Sequence, residues 1–208
     1  MTNEGKPIFY DEKSVIKNPS GRGRPRIHPD IRAAWREASR RYRKRKRRAA
    51  YHTSNRHDWT TPPQLLTSIL RAVAREAFSL DPCSPSPDGP VPALSRYTEA
   101  EDGLSLPWSG LVFCNPPYGR ALPSWIAKCA AEASAGATVV ALIPARTDTR
   151  AWHLHVAGKA DAILLQGRLR FGGAGKGAPF PSAVVVWGDP ALAVRIAAET
   201  GGWLVPAD

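Results

Sequence analysis

Asn115-Pro116-Pro117-Tyr118 places one amide, two prolines and an aromatic ring directly after the apolar run Leu111-Val-Phe-Cys114. Proline has no backbone N–H and fixes φ, so the carbonyls beside it serve no ladder and are held rigidly. The Asn115 side-chain oxygen and the Pro116 carbonyl can each accept one N–H from a flat aromatic amine, such as the exocyclic amino group of adenine. That nitrogen is a poor nucleophile, because its lone pair is delocalised into the ring. Two oriented acceptors aim its residual lone-pair density outward and stabilise the positive charge that develops on it. Tyr118, expected to be exposed, offers a face for the base, and such stacking contributes about 1–3 kcal/mol for single-stranded or extruded bases. The plain alternative is a strand end followed by a turn, since Pro-Pro and Tyr-Gly are ordinary loop punctuation.

The elements that must hold these groups are legible as a pattern. Gly110 to Cys114 reads as a buried strand that must stop before Pro116, and ligand sites in open α/β sheets lie at such carboxyl ends. Phe78 to Asp81, Thr138 to Ile143, Ala160 to Leu165 and Ser182 to Trp187 read as further strands. Helices are expected from Gln64 to about Ala77, Ala121 to about Ala135, Thr149 to Val156 and Ala191 to Thr200. The stretch from Pro82 to Ser105 reads as a long Pro- and Ser-rich connection. Strands alternating with helices predict an α/β fold with a mostly parallel sheet covered on both faces.

Charge divides the chain of 208 residues. Residues 1 to 56 hold 17 Lys and Arg against 5 Asp and Glu, and the remainder holds 12 against 13, so the net +11 belongs to the first quarter. A near-neutral domain with a strongly basic arm points to a polyanionic partner, most simply nucleic acid. The arm is expected to be partly disordered, with a basic helix from Ile31 to about Ala50 capped by Asp30. Within it, Arg22-Gly-Arg24-Pro has the form of an AT-hook (residues 21–26), in which glycine lets arginines approach a narrow minor groove. Arg43, Lys44, Arg45, Lys46, Arg47 and Arg48 form an unbroken run suited to phosphates, and a tail that only binds phosphate is the simpler reading of both. Cys83, Cys114 and Cys129 are odd in number and lack a CxxC pair, which argues against a disulfide framework or a metal site. No apolar run approaches a membrane span and no signal peptide is evident, so an intracellular protein is expected.

A set of segments, taken in order, carries a resemblance. Asp58-Trp-Thr-Thr-Pro-Pro63, Phe78-Ser-Leu-Asp-Pro-Cys83, Arg96-Tyr-Thr-Glu-Ala-Glu-Asp-Gly-Leu104, Asn115-Pro-Pro-Tyr-Gly119, Leu142-Ile-Pro-Ala-Arg-Thr-Asp148, Gly167-Arg-Leu-Arg-Phe-Gly172 and Ala178-Pro-Phe-Pro-Ser-Ala183 follow one another as in the phage-type, Dam-like DNA N6-adenine methyltransferases. The resemblance implies a reduced Rossmann-like methyltransferase domain from residue 57 to 208. It also implies S-adenosylmethionine as cofactor, duplex DNA with a flipped adenine as substrate, and a bacterial cytoplasmic setting of phage or prophage origin, with roles in DNA modification, restriction–modification or regulation; the oligomeric state stays open, with a monomer favoured. It assigns catalysis to Asn115, Pro116, Pro117 and Tyr118. Cofactor contacts fall on Asp81, Pro82 and Cys83 beside the methionine part, on Thr61 and Pro62 near its carboxylate, and on Asp102 near its adenine or ribose. After Asp81 the sequence departs from the usual Gly-x-Gly turn, and only 33 residues separate Asp81 from Asn115, so intermediate strands must be shortened or missing.

Several residues keep two readings. Asp81 either meets the cofactor or caps the next element, and Asp102 before Gly103 either meets the cofactor or only shapes a turn. Arg168 and Arg170, with Phe171 between glycines, form either a loop that tracks phosphates and probes bases or a solvated hairpin. The reaction expected is direct displacement onto adenine N6, with S-adenosylhomocysteine as the second product and Cys114 taking no part as a nucleophile. Cytosine N4 or a glutamine amide as acceptor, and an inactive DNA-binding module on the same fold, are the competing readings.

Overall fold

The computed structural model describes residues 15–16, 26–27, 60–171 and 177–208. The chain divides into two units, Met1–Asn55 and Arg56–Asp208. In the first, β1 (Val15–Ile16) pairs antiparallel with β2 (Arg26–Ile27). Arg22, Arg24, the helix expected from Ile31 and the basic run Arg43 to Arg48 lie outside the described residues.

The second unit begins with a helix, α1 (Pro63–Val73), that proline opens at a position where the missing N–H costs nothing. Leu65, Leu66, Ile69, Ala72 and Val73 form its buried stripe. It ends at Ala74, in the left-handed region at φ 54°, short of the expected Ala77. Ala74 to Ala77 are good helix formers, but the chain must turn there into the next strand, and tertiary context overrides propensity.

Seven strands make one sheet: β3 (Phe78–Asp81), β4 (Ala93–Arg96), β5 (Leu111–Cys114), β6 (Thr138–Pro144), β7 (Asp161–Leu164), β8 (Ser182–Trp187) and β9 (Trp203–Val205), in the order β4-β3-β5-β6-β8-β7-β9. The four from β4 to β6 are parallel, and the three pairings from β6 to β9 are antiparallel. The expected mostly parallel sheet is thus mixed, because β8 returns between β6 and β7 and an apolar run does not reveal its own direction. Two strands of this sheet were not expected, and neither was the β1–β2 pair in a stretch expected to be disordered. β4 lies inside the supposed connection, and β9 follows the last helix.

All of β8 and all of β6 beyond its first residue are buried, so both faces of the sheet's centre are covered. The covering helices pack in two pairs, α1 with α4 (Pro190–Thr200) and α2 (Leu122–Ser134) with α3 (Arg150–His155). β3 pairs with β4 on one side and β5 on the other, so the strand order reverses at β3. The crevice at the carboxyl ends of β3 and β5 is therefore where such a sheet binds ligands. No helix among the described residues is long and apolar enough to cross a membrane.

Candidate active site

Two strand ends meet at that crevice. β3 delivers Asp81 and β5 delivers Asn115, and Leu80 lies in register with Val112 between them. Beneath them the Cys83 and Cys114 sulfurs are 3.7 Å apart. Both thiols are pushed above their ordinary range, chiefly by burial, which keeps them protonated. Cys114 is fully buried inside its strand, as a packing residue would be.

Asn115 is joined to the start of α1. Its Nδ2 donates to Thr61 Oγ1 at 3.0 Å, and Thr61 is itself buried. The resemblance places Thr61 near the cofactor carboxylate, and the Thr61 hydroxyl also meets the amide of the catalytic motif across 54 positions of sequence. Pro62 follows as the N-cap of α1 and is half-buried.

Tyr118 corrects an expectation. It is 7% exposed, not the open aromatic platform inferred from its place beside a turn. Its hydroxyl donates to the Leu142 carbonyl on β6 at 3.0 Å. Its ring packs edge-on against Phe171 and Phe180, with centroids 5.9 and 5.4 Å away. Phe171, expected on a loop that probes bases, is equally buried in this cluster. Apolar area explains both placements, because an aromatic ring within reach of two others gains more from the core than from water. Pro116 is buried and Pro117 exposed.

Asp81 is 3% exposed. Its Oδ1 accepts from the Cys83 backbone N–H at 3.2 Å, so it does shape the turn that follows β3. Burial nevertheless dominates and raises its pKa from 3.8 to about 6, against the opposing pull of the bonds from Cys83 and Ser84 and the charge of Arg96. The native chain therefore holds this proton more tightly than the unfolded chain does. The stabilisation is complete below pH 4, declines as the pH rises through 6, and is absent above, a change of about 3 kcal/mol. Urea unfolding at pH 4 to 7 is expected to show this decline in the wild-type protein and not in Asp81→Asn. Parallel pH profiles for the two proteins would refute it.

Asp102 is exposed at φ 53°, and its Oδ1 accepts from the Leu104 N–H at 3.3 Å. It shapes a left-handed turn, a conformation that aspartate tolerates. Neighbouring Gly103 lies so close to the Pro82 carbonyl that a Cβ would come within 1.9 Å of it, which seats this loop over the end of β3.

The rim of the crevice is split by charge. Exposed Asp88, Glu99, Glu101 and Asp102 follow β3 and β4, whereas exposed Arg120, Arg146, Arg150, Arg168 and Arg170 follow β5, β6 and β7, accompanied by Asp148. Of these five arginines only Arg168 and Arg170 stand out from sequence, because only the topology brings Arg120, Arg146 and Arg150 to the same edge. The Leu169 carbonyl accepts from Ala178 N–H at 2.8 Å, so the segment carrying Arg168 and Arg170 doubles back on itself. Among the described residues no group of three His, Cys, Asp or Glu side chains could hold a metal ion.

The family model described as DNA N-6-adenine-methyltransferase (Dam) matches residues 48–186. No curated protein matches the chain.

Proposed function

Because the chain belongs to the DNA N-6-adenine-methyltransferase (Dam) family, we propose that it transfers a methyl group from S-adenosylmethionine to adenine N6 within a specific DNA sequence. The observation that carries this reading is the meeting of Asn115 and Asp81 where the strand order reverses. Each then has one task. A mixed α/β sheet with this strand order is compatible with a methyltransferase-like fold, and the single short β4 outside β3 supports the reduced Rossmann-like form.

The residues fit the cofactor by their chemistry. A buried carboxyl that titrates near 6 is ionised at pH 7, and Arg96 is the only cation that acts on it among the causes of its shift, so an ammonium group suits it. The acidic side of the rim suits a cation for the same reason. Pro82, half-buried Cys83 and Asp102 line this half. When bound, S-adenosylmethionine supplies an electrophilic methyl group.

The chain's own residues prepare the nucleophile. Asn115 Oδ1 and the Pro116 carbonyl accept the two amine hydrogens, turn the nitrogen's lone pair outward and stabilise the charge it acquires. The rigid Pro116-Pro117 pair keeps these acceptors from following the substrate as it moves. Tyr118 supports the motif through its bond to Leu142 and, being 7% exposed, offers a base little surface. Arg120, Arg146, Arg150, Arg168 and Arg170 lie on the side where a DNA backbone would be attracted, and the acidic side would repel it. The arm, residues 1–56, is the second DNA-binding element of this reading through Arg22, Arg24 and Arg43 to Arg48, joined to a catalytic domain over residues 57–208.

The deciding experiment incubates the full chain with labelled S-adenosylmethionine and duplex DNA, followed by nucleoside analysis. N6-methyladenine is the expected product. N4-methylcytosine would replace the acceptor base, and binding of cofactor and DNA without methylation would make the chain an inactive DNA-binding protein.

A further inference from the structure

The bond between Thr61 and Asn115 offers Thr61 a task other than the cofactor contact expected of it. We propose that Thr61 is a positioning residue, which holds the Asn115 amide in the one rotation that presents Oδ1 to the substrate amine. The inference rests on the methyl-transfer reading above and deepens it.

The two ends of a side-chain amide are similar in size and opposite in hydrogen-bonding character. Presented by its oxygen, Asn115 accepts from the amine. Turned over, it would point N–H groups at N–H groups. The β5 end fixes where the amide sits but not which way it faces, since rotation about the last side-chain torsion is broad. Thr61 Oγ1 lies 3.0 Å from Nδ2 and so anchors the nitrogen end towards the start of α1. Thr61 is 4% exposed, so water is a poor substitute for its hydroxyl. Pro62 and Pro63 directly follow it and open a helix whose buried stripe packs in the core, which fixes the position of Thr61 itself. An element from the start of the domain thus braces a group on the sheet's centre.

Thr61→Val keeps the shape of the side chain and removes the acceptor. With one amide hydrogen left without its partner, kcat at saturating cofactor and DNA is expected to fall about 10- to 100-fold. The cofactor Kd, measured by calorimetry without DNA, is expected to change less than twofold. Thr61→Ser should recover most of the loss. In an Asn115→Ala background Thr61→Val should cost nothing further, because the group it positions is gone. A readout independent of turnover follows the Asn115 side-chain N–H signals, assigned by their absence in Asn115→Ala. Slow hydrogen exchange is expected in the wild type and Thr61→Ser and fast exchange in Thr61→Val.

A raised cofactor Kd with kcat unchanged at saturation would return Thr61 to a cofactor contact and overturn the proposal. Unchanged Asn115 signals in Thr61→Val would overturn it as well. Absence of methylation by the wild-type protein would instead sink the function itself, and the positioning role with it.

Discussion

Replacing Asn115 with alanine is expected to slow methyl transfer by about 10²–10³-fold, the usual loss when one oriented partner of a developing charge is removed. The cofactor Kd should stay nearly unchanged, because Asn115 is not among the proposed cofactor contacts. The fold should survive too. Asn115 stands beyond the last residue of β5, so its truncation opens no hole in the sheet. What the variant loses is the acceptor for the amine, while Thr61 loses only a donor that water can replace once the side chain is gone. Single-turnover kinetics with saturating cofactor isolate the step. Retention of more than half the wild-type rate would remove Asn115 from catalysis and leave the motif as a strand end followed by a turn.

The second large effect falls on stability. Tyr118→Ala is expected to destabilise the domain by about 3–5 kcal/mol, as truncation of a buried aromatic does. The ring touches Phe171 and Phe180, and neither can move into the space without leaving its own contacts. Tyr118→Phe keeps the ring and deletes the bond to the Leu142 carbonyl, so about 1 kcal/mol is expected. Its turnover at low temperature should remain close to wild type. Denaturant midpoints for both variants, set beside rates measured well below melting, separate the two roles. If Tyr118→Ala is as stable as the wild type but inactive, the ring acts on the base directly and the supporting role is wrong.

The strands that sequence revealed are those whose burial is written in composition. β6 and β8 are unbroken apolar runs because both faces are covered, and their ends were read within a residue. β4 and β9 escaped for the opposite reason. Each is an edge strand, and each exposes a large apolar side chain, Leu94 at 81% and Trp203 at 72%, so neither alternates as a half-buried strand should. The catalytic motif was legible because two prolines after an apolar run are rare punctuation with one structural consequence. Its surroundings were not. The Thr61 contact joins residues 54 apart, and the burial of Tyr118 depends on Phe171 and Phe180 reaching it from another loop. No local pattern encodes a partner that distant in sequence.

β8 occupies a central place in the sheet, with every residue buried between β6 and β7, yet it is synthesised after both. Until Ser182 leaves the ribosome, β6 and β7 have no neighbour on the sides where they will later be joined. The interior of this domain cannot therefore be assembled strand by strand as the chain emerges. Folding must wait for nearly the whole domain, and closure pairs Trp187 with Val139 across the intervening α3 and β7, a topology that favours slow folding and leaves sticky edges open meanwhile. A ribosome stalled before β8 would carry not a smaller domain but an unfinished one, exposed to proteases and chaperones.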